Sequence, residues 1–270
     1  MNTILTLPDG TAVGTGLQMP ASLSTAFPLY EDAGPMLTDA QIEAEARSGK
    51  CLGRTRFDSS WIGNQRSHGS CNGFAGAKAL QRARVRRGLP RVNLSGAYLY
   101  SLINGGQDNG SMLDAGMAAI QSRGVATVGW DAIYPSRYDR AKADGEAAKH
   151  KGFECYAVRT RQALFSALAL GFDCVVAVHA DDGYMQLDGE GIAGGGQGPG
   201  NHAVGCDGLG WSSRYGVPLA DQYGSWDVTA HDRGRLFLSW NRHFAPTTNY
   251  HVFYAIRSTT DGGESPPAAT

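Results

Sequence analysis

The sequence predicts an α+β fold with two segregated lobes, because helical patterns come first along the chain and strand patterns follow. Apolar residues recur with the period of a helix in the first part, and short β-branched runs replace them from residue 173 onwards. The 270 residues suffice for two small lobes that enclose a cleft, and no internal repeat indicates another architecture.

The composition excludes several classes of function. Apolar residues make up 42% of the chain and charged residues 18%, which is typical of a globular protein. The formal net charge of -1 provides no basic field for nucleic acid, and no apolar stretch is long enough to span a membrane. We therefore expect no nucleic acid and no membrane as partners.

The cysteines and the start of the chain bear on the compartment. The segment 1–10 lacks the basic and apolar regions of a signal peptide. Five cysteines, an odd number, without such a signal indicate mostly free thiols and a reducing, cytoplasmic compartment. Cys174 and Cys206 lie in apolar runs and are expected to be small buried side chains.

Residues 1–50 are expected to be an extension laid on the core, irregular apart from one helix at 39–49. Thr38 can cap this helix, and Gln41 completes a capping box. Apolar side chains within residues 17–36 predict that the extension docks. One hypothesis is that it crosses the cleft as an inhibitory strap, so that deletion of 1–50 raises activity.

A longer helix is expected from Ser70 to about Arg87, where Gly88 and Pro90 end it. Its periodicity predicts an apolar face formed by Phe74, Ala77, Leu80, Ala83 and Val85. The polar side chains are expected to face solvent, namely Lys78, Gln81, Arg82, Arg84 and Arg86.

The remaining elements follow in order along the chain. Further helices fit residues 95–103, 112–122 and 161–170. Strands fit residues 173–180, 202–207, 234–240 and 251–257. The last residues, 259–270, are expected to be a tail.

The segment Trp61 to Phe74, WIGNQRSHGSCNGF, carries the chemistry. A thiol attacks as its thiolate, and the N-terminus of a helix together with an imidazolium lowers a thiol pKa from about 8.5. Cys71 begins the predicted helix, and the small residues before it leave room for a peptide backbone. The side-chain amide of Gln65 can complete an oxyanion hole with the Cys71 backbone N–H.

The spacing of Gln65 six residues before Cys71 resembles the nucleophile signature of the papain/cathepsin family of cysteine peptidases. The segment 94–99 (LSGAYL) resembles the family helix that follows, and 201–204 (NHAV) resembles the run at the family's catalytic histidine. The resemblance covers roughly residues 57–257 in the family's order. It implies a papain-like two-lobed fold, with a helical left lobe, an antiparallel β-barrel-like right lobe and a cleft between them.

The resemblance also implies roles for particular residues. Cys71 would be the nucleophile of an acyl-enzyme mechanism, His202 its base and Gln65 an oxyanion donor. The substrate would be a peptide or protein, with no cofactor and no metal. The turn at 108–112 resembles the left wall of the cleft, which pairs with substrate backbone. The implied substrate-binding residues are Gly69, Gly110, Ser111, Met112, Asn201 and Trp226.

One departure from the family pattern concerns the group that orients the imidazole. The family's Asn-Ser-Trp-Gly run is matched best by residues 224–227 (GSWD), so Gly224 stands in place of the orienting Asn. A glycine has no side chain that could accept the imidazole N–H. Gln222, Asp227 and Asn241 stay open as candidates, with Asp227 ranked first.

Two other departures concern the left lobe. Asn72 stands where the family usually has an aromatic residue. Neither His68 nor the 107–110 turn supplies the cysteines of the usual left-lobe disulfide, which fits a cytoplasmic or virus-associated member.

The other histidines are expected to have no catalytic role. His68 is expected in a loop, His150 at the surface and His179 in the core or at the cleft rim. His231, His243 and His251 show no spacing typical of metal ligands.

Two functions therefore compete. The first is peptide-bond hydrolysis. The alternative is a catalytically impaired scaffold of a larger assembly such as a virion, attached through the N-terminal extension; Gly224 and Asn72 motivate it. The predicted units are an extension at 1–50, a helical lobe at 51–155, a β-rich lobe at 156–258 and a tail at 259–270.

Overall fold

The structure is a computed structural model that describes residues 3–7, 10–20, 25–57, 60, 63–130, 140–196, 198–226, 235–244 and 253–257. The predicted tail at 259–270 lies outside these residues. None of the described helices is long and apolar enough to cross a membrane.

The N-terminal region is more regular than predicted. Strands β1 (Thr3–Thr6) and β2 (Ala12–Thr15) pair antiparallel, and a short helix α1 (Tyr30–Ala33) precedes helix α2 (Asp39–Ser48). The predicted capping box between Thr38 and Gln41 is present at the start of α2. The hairpin was missed because its four-residue strands are too short to show an alternating pattern.

Four helices form the left lobe: α3 (Cys71–Arg86), α4 (Gly96–Ile103), α5 (Leu113–Ser122) and α6 (Arg140–Ala147). Ser95 caps α4 by accepting a hydrogen bond from the backbone N–H of Tyr98. Helix α3 packs against α4 and α5, and the small residues Gly73 and Gly76 lie at these contacts. The predicted nucleophile helix is therefore confirmed as an element.

The right lobe contains helix α7 (Arg161–Ala169) and one six-stranded antiparallel sheet. Its strands, given in chain order, are β3 (Cys155–Val158), β4 (Asp173–Val178), β5 (His202–Ser212), β6 (Val217–Tyr223), β7 (Arg235–Ser239) and β8 (Phe253–Ile256). Their order across the sheet is β3-β8-β4-β5-β6-β7. The expected antiparallel right lobe is confirmed, whereas β3 and β6 were not predicted. Cys174 and Cys206 face each other across β4 and β5 as buried free thiols, as expected.

The expectation for the polar face of α3 was wrong. Lys78, Gln81, Arg82 and Arg84 are buried rather than exposed. Helix α3 packs against β4 and β5 as well as against α4 and α5, so that no broad face remains for solvent. A helical period shows which residues are apolar, but it does not show whether a second layer covers the polar side.

Two arginines of α3, Arg82 and Arg86, are paired with aspartates of the sheet. Arg82 Nε lies 2.9 Å from Asp207 Oδ2, and Arg235 Nη2 lies 2.9 Å from the same oxygen. Burial alone would raise the pKa of Asp207, but the guanidinium groups of Arg82 and Arg235 lower it below its usual value. The carboxylate thus joins α3 to β5 and β7.

Two more aspartates extend this network. Arg86 Nε lies 3.0 Å from Asp173 Oδ2, and Arg54 Nη2 lies 2.8 Å from Asp221 Oδ1. Burial outweighs the attraction of Arg86 and raises the pKa of Asp173 to about 7. Two of these four pairs tie α3 to β5 and β4, one joins β5 to β7, and one joins Arg54 to β6.

Two apolar clusters fill the lobes. One lies between the sheet, α7 and the N-terminal residues Leu7, Val13 and Tyr30. The other lies around α3 and also contains residues from both sides of the cleft, including Leu17 and Ala203. The N-terminal region therefore contributes to both cores.

Candidate active site

Cys71 and His202 begin the two elements that meet at the cleft. Cys71 is the first residue of α3 and His202 the first residue of β5, and both side chains are buried. The thiol of Cys71 makes a backbone hydrogen bond with Ala203, the residue that follows His202. The imidazole of His202 stacks on Trp226, with ring centroids 4.1 Å apart and planes inclined by 20°. At this junction the Cys71 thiol thus lies beside the residue next to His202, but no hydrogen bond joins it to either nitrogen of the imidazole.

Residues 12–19, which we call the strap, run along this junction. The backbone N–H of Leu17 donates to the Asn201 carbonyl at 3.0 Å. Gly16 accepts a hydrogen bond from the Ser111 N–H at 2.8 Å, and the Gln18 N–H donates to the Ser111 carbonyl at 3.0 Å. Two of the predicted substrate-binding residues, Ser111 and Asn201, therefore bind a peptide backbone of the same chain.

Gln65 is directed at the strap as well. Its Nε2 donates to the Gly14 carbonyl at 2.9 Å, and Trp226 Nε1 donates to the same oxygen at 3.2 Å. Gln65 Nε2 also donates to the His68 carbonyl at 2.7 Å. The Ser225 hydroxyl donates to Gln65 Oε1, which fixes the orientation of the amide with its donor facing Gly14. A strap carbonyl therefore occupies the Gln65 amide that sequence analysis assigned to an oxyanion, with Trp226 rather than the Cys71 backbone N–H as the second donor.

Glycines allow the strap to approach the cleft walls. A Cβ on Gly16 would lie 2.1 Å from the carbonyl oxygen of Gly69, and one on Gly14 would lie 2.5 Å from the His68 oxygen. Gly110 has φ of +82°, and a Cβ there would lie 1.8 Å from the Gly16 oxygen. At each of these three glycines the nearest atoms belong to a neighbouring backbone, so a residue with a side chain would force the strap or the wall to move.

The orienting partner of His202 is not found among the described residues. Neither ring nitrogen of His202 has a hydrogen-bond partner there. Gln222 pairs with Cys206 of β5, and Cys206 is four residues along that strand from His202. At the rise of a β-strand, four residues separate His202 from the position of Gln222 by about 13 Å. Asn241 is exposed in the π-helix Trp240–Phe244. The candidates Gln222 and Asn241 are therefore wrong, and Asp227 lies outside the described residues.

Burial sets the protonation of both catalytic candidates. It raises the pKa of the Cys71 thiol, although backbone hydrogen bonds from Ala203 and Gly16 partly oppose the rise. It lowers the pKa of His202 to about 3. The lowered thiol pKa expected from the helix N-terminus is therefore not found while the strap is in place, because loss of water outweighs the helix dipole.

Polar side chains hold the left wall where the resemblance implies a disulfide. Asp108 accepts hydrogen bonds from the Gly69 N–H at 2.9 Å and the Tyr100 hydroxyl at 2.9 Å, and it lies 3.2 Å from His68 Nδ1. Asn72 Nδ2 donates to the Met112 carbonyl at 2.6 Å and to Ser111 Oγ at 3.1 Å. Hydrogen bonds thus take the place of a covalent link.

The other histidines differ partly from expectation. His150 is buried rather than at the surface, and its Nδ1 lies 3.2 Å from the Val125 carbonyl. His179 is half-buried, and its Nδ1 lies 2.8 Å from the Pro199 carbonyl. No group of three or more His, Cys, Asp or Glu side chains in the described part of the chain could hold a metal ion.

Sequence reasoning suggested an inhibitory strap within residues 1–50, but it did not identify residues 12–19 as that strap or Ser225 as a part of the site. The pattern Gly14-Thr15-Gly16 was a usable signal, because alternating glycines allow a close backbone approach on one face. Ser225 was recognised only as part of a family run, and its contact with Gln65 depends on residues 160 positions apart. Met112, a predicted substrate-binding residue, has a side chain that is 38% exposed, and it contributes its carbonyl to the wall.

Comparisons with sequence families and with curated proteins give no match. Solved structures do match. Xylellain, a cysteine protease from Xylella fastidiosa, has a TM-score of 0.67 at 18% identity, over 90% of this chain and 96% of that one. Procathepsin B from Trypanosoma congolense has a TM-score of 0.58 at 17% identity, over 92% and 86%. Bromelain from Ananas comosus, in complex with the E64 inhibitor, has 0.54 at 21%, over 72% and 91%. The chain therefore has the papain-like fold of these cysteine proteases.

Proposed function

We propose that this chain is a papain-like cysteine peptidase whose cleft is closed by its own strap. The observation that carries the proposal is the peptide backbone bound along the cleft. Ser111, Asn201, Gln65 and Trp226 each make at least one hydrogen bond to residues 14–18. A groove that binds an extended backbone in this way has the groups needed to bind a peptide substrate.

In the proposed reaction His202 takes the proton of the Cys71 thiol, and the sulfur attacks the substrate carbonyl carbon. Gln65 Nε2 donates to the resulting oxyanion. The C–N bond breaks as the imidazolium gives its proton to the leaving amine, which leaves a thioester. Water then attacks the thioester, His202 takes its proton, and the thiolate of Cys71 departs with release of the acid.

The strap is held as an inhibitor rather than as a substrate. The carbonyl that Gln65 and Trp226 bind belongs to Gly14, whereas the strap group that interacts with the Cys71 thiol is the backbone of Gly16. Attack requires the sulfur and the donors to converge on one carbonyl group. Because they contact different peptide units, the strap blocks the cleft without entering the geometry of attack.

The strap also indicates a class of substrate. The Leu17 side chain is 7% exposed and packs in the same apolar cluster as Ala177 and Ala203. At Gly200, the position of a Cβ would lie 3.6 Å from Leu17 Cδ2 and 3.0 Å from Met19 Sδ. We therefore propose that a subsite between the left wall and β5 accepts an aliphatic side chain.

The test opens the cleft with Gly16→Ala and measures hydrolysis of fluorogenic peptides that carry leucine. The added Cβ would lie 2.1 Å from the Gly69 oxygen, so the strap must leave its place. Gly189→Ala is the matched control, because nothing lies within 4 Å of a Cβ there. We expect Gly16→Ala to raise turnover at least about tenfold, which corresponds to about 1.4 kcal/mol of lost strap binding.

Two further variants identify the chemistry. Adding Cys71→Ser or His202→Ala to Gly16→Ala should abolish turnover, and an epoxysuccinyl peptide of the E64 type should attach to Cys71 by mass mapping. If the opened protein has no turnover and leaves Cys71 unmodified, the peptidase proposal fails. The scaffold alternative would then account for Gly224 and for the unpartnered imidazole of His202 among the described residues.

A further inference from the structure

A strongly basic groove lies at the end of α3 that is remote from Cys71. Two adjoining cavities of about 520 Å³ and about 390 Å³ share Arg56, Arg86, Leu170 and Gly171 in their walls. The first also contains Arg87, Arg257 and Glu154, and the second contains Lys50. Helix α3 has 16 residues, so the groove lies about 24 Å from the nucleophile.

The charge of this groove contrasts with that of the chain. It contains five cationic side chains and a single carboxylate, Glu154, in a protein whose formal net charge is -1. Arg56 and Arg257 are exposed, and neither has an ion-pair partner among the described residues. No ion pair among the described residues offsets the charges of Arg56 and Arg257, which favours a bound anion.

One guanidinium is held rigidly at the groove. Arg86 Nε is bound to Asp173 at 3.0 Å, and its Nη2 donates to the Asp207 carbonyl at 2.5 Å. Its Nη1 lies 3.9 Å from the position of a Cβ on Gly171, in the groove wall. A guanidinium fixed on two sides presents its remaining N–H donors without further loss of side-chain entropy.

The ordinary role of cations at helix C-termini does not account for this cluster. Two helices, α3 and α7, end at the groove, and arginines often neutralise such ends. Here backbone amides already satisfy three carbonyls at the end of each helix. Arg87, Gly88 and Leu89 donate to the end of α3, and Leu170, Gly171 and Phe172 donate to the end of α7.

We propose that the basic groove binds a compact oligophosphate, free or as part of a larger molecule. Guanidinium groups bind phosphate oxygens through paired hydrogen bonds, and several arginines around one concavity match charges that lie close together along a phosphate chain. The volume of the larger cavity falls in the range of small-ligand sites. An acidic peptide spaces its carboxylates further apart along an extended chain, so it matches the concavity less well.

The test uses the whole protein and inorganic triphosphate, with calorimetric titration and thermal unfolding at constant ionic strength. The double variant Arg56→Ala/Arg257→Ala should lower triphosphate affinity at least tenfold and remove the rise in Tm. Arg47→Ala/Arg123→Ala is the matched control, because it removes two cations that lie outside the groove. This control should bind like the unsubstituted protein.

Two outcomes would overturn the proposal. The first is a response to triphosphate no larger than that to potassium chloride of equal ionic strength, or equal binding by both double variants. The second is tighter binding of hexa-aspartate than of triphosphate, which would assign the groove to acidic peptides. Neither calorimetric titration nor thermal unfolding depends on peptidase activity, so this test is independent of the proposed function.

Discussion

Burial decides which protonation states Cys71 and His202 hold while the strap is in place. The pKa of the thiol is raised and that of the imidazole is lowered to about 3, so both groups are neutral near pH 7. A thiolate–imidazolium pair requires water or a facing charge to stabilise it. Displacement of the strap is therefore expected to restore nucleophilicity as well as access.

The difference in burial between the thiols of Cys51 and Cys71 predicts the order in which they react. In the intact protein, iodoacetamide should modify Cys51 before Cys71, because Cys51 is half-buried and the other four cysteines are buried. Mass mapping after a short exposure gives the order directly, and prior modification of Cys71 in the intact protein would contradict the closed cleft.

A second prediction at this scale concerns acid stability. The pKa of His202 is about 3 in the folded protein and about 6.5 in an unfolded chain, so only the unfolded chain binds the proton between these values. The free energy of unfolding should therefore fall as the pH falls from about 6.5 to about 3. The slope approaches about 1.4 kcal/mol per pH unit for this group.

The variant His202→Phe isolates this contribution, because an aromatic ring keeps the stack on Trp226. Its urea midpoint should depend less on pH than that of the unsubstituted protein over the same range. His243, with a pKa lowered to about 4 by burial, and Asp173, raised to about 7, are common to both proteins and cancel in the difference. Equal slopes would show that the His202 imidazole takes up protons in the folded state.

At the scale of elements, the turn between α4 and α5 depends on one carboxylate. Asp108 accepts charge-assisted hydrogen bonds from Gly69 and Tyr100, and such bonds contribute about 1.5–3 kcal/mol each to stability. Asp108→Ala should lower the free energy of unfolding by at least that amount, measured in urea. It should also weaken the left wall that binds Gly16.

The control for this variant is Asp182→Ala, because Asp182 is exposed. Its stability should stay within about 0.5 kcal/mol of the unsubstituted protein. If both variants are equally stable, the turn is held by its backbone alone.

Local signals in the sequence were enough to predict several elements. The capping box of α2 and the start of α3 at Cys71 depend on residues within one turn of helix, and both are present. Strand β6 (Val217–Tyr223) was missed because it contains Pro218, Asp221 and Gln222, which a strand pattern disfavours. The buried Asp221 carboxylate is tolerated in this strand because Arg54, from a segment distant in sequence, pairs with it. A pattern of residue types along the sequence does not show such a partner.

At the scale of the whole molecule, the N-terminal region divides into two parts with different roles. The strap contacts the cleft through backbone groups, whereas Tyr30 and Ile42 are fully buried in the right-lobe core. Deletion of residues 1–50 would therefore remove core side chains, each worth several kcal/mol. We therefore expect this deletion to unfold the right lobe before it can raise activity, so substitution within the strap is the better way to open the cleft.

The two lobes are joined across the molecule by the buried carboxylate of Asp207. It receives Nε of Arg82 from α3 and both terminal nitrogens of Arg235 from β7, at 2.9–3.0 Å. Asp207→Asn removes the charge and leaves two buried guanidinium groups facing each other. Breaking a buried ion pair from one side costs about 3–5 kcal/mol, whereas losing an exposed pair costs about 0–1 kcal/mol.

We therefore expect Asp207→Asn to lower the free energy of unfolding by about 3–5 kcal/mol in urea. The matched control is Glu43→Gln, which breaks the exposed pair with Arg47 and should change stability by less than about 1 kcal/mol. Because the carboxylate connects α3 to the sheet, the variant should also loosen the contact between the elements that carry Cys71 and His202. Faster hydrogen exchange at the amides of β5, with that of α2 unchanged, would show this loosening, and equal stability of the two variants would contradict it.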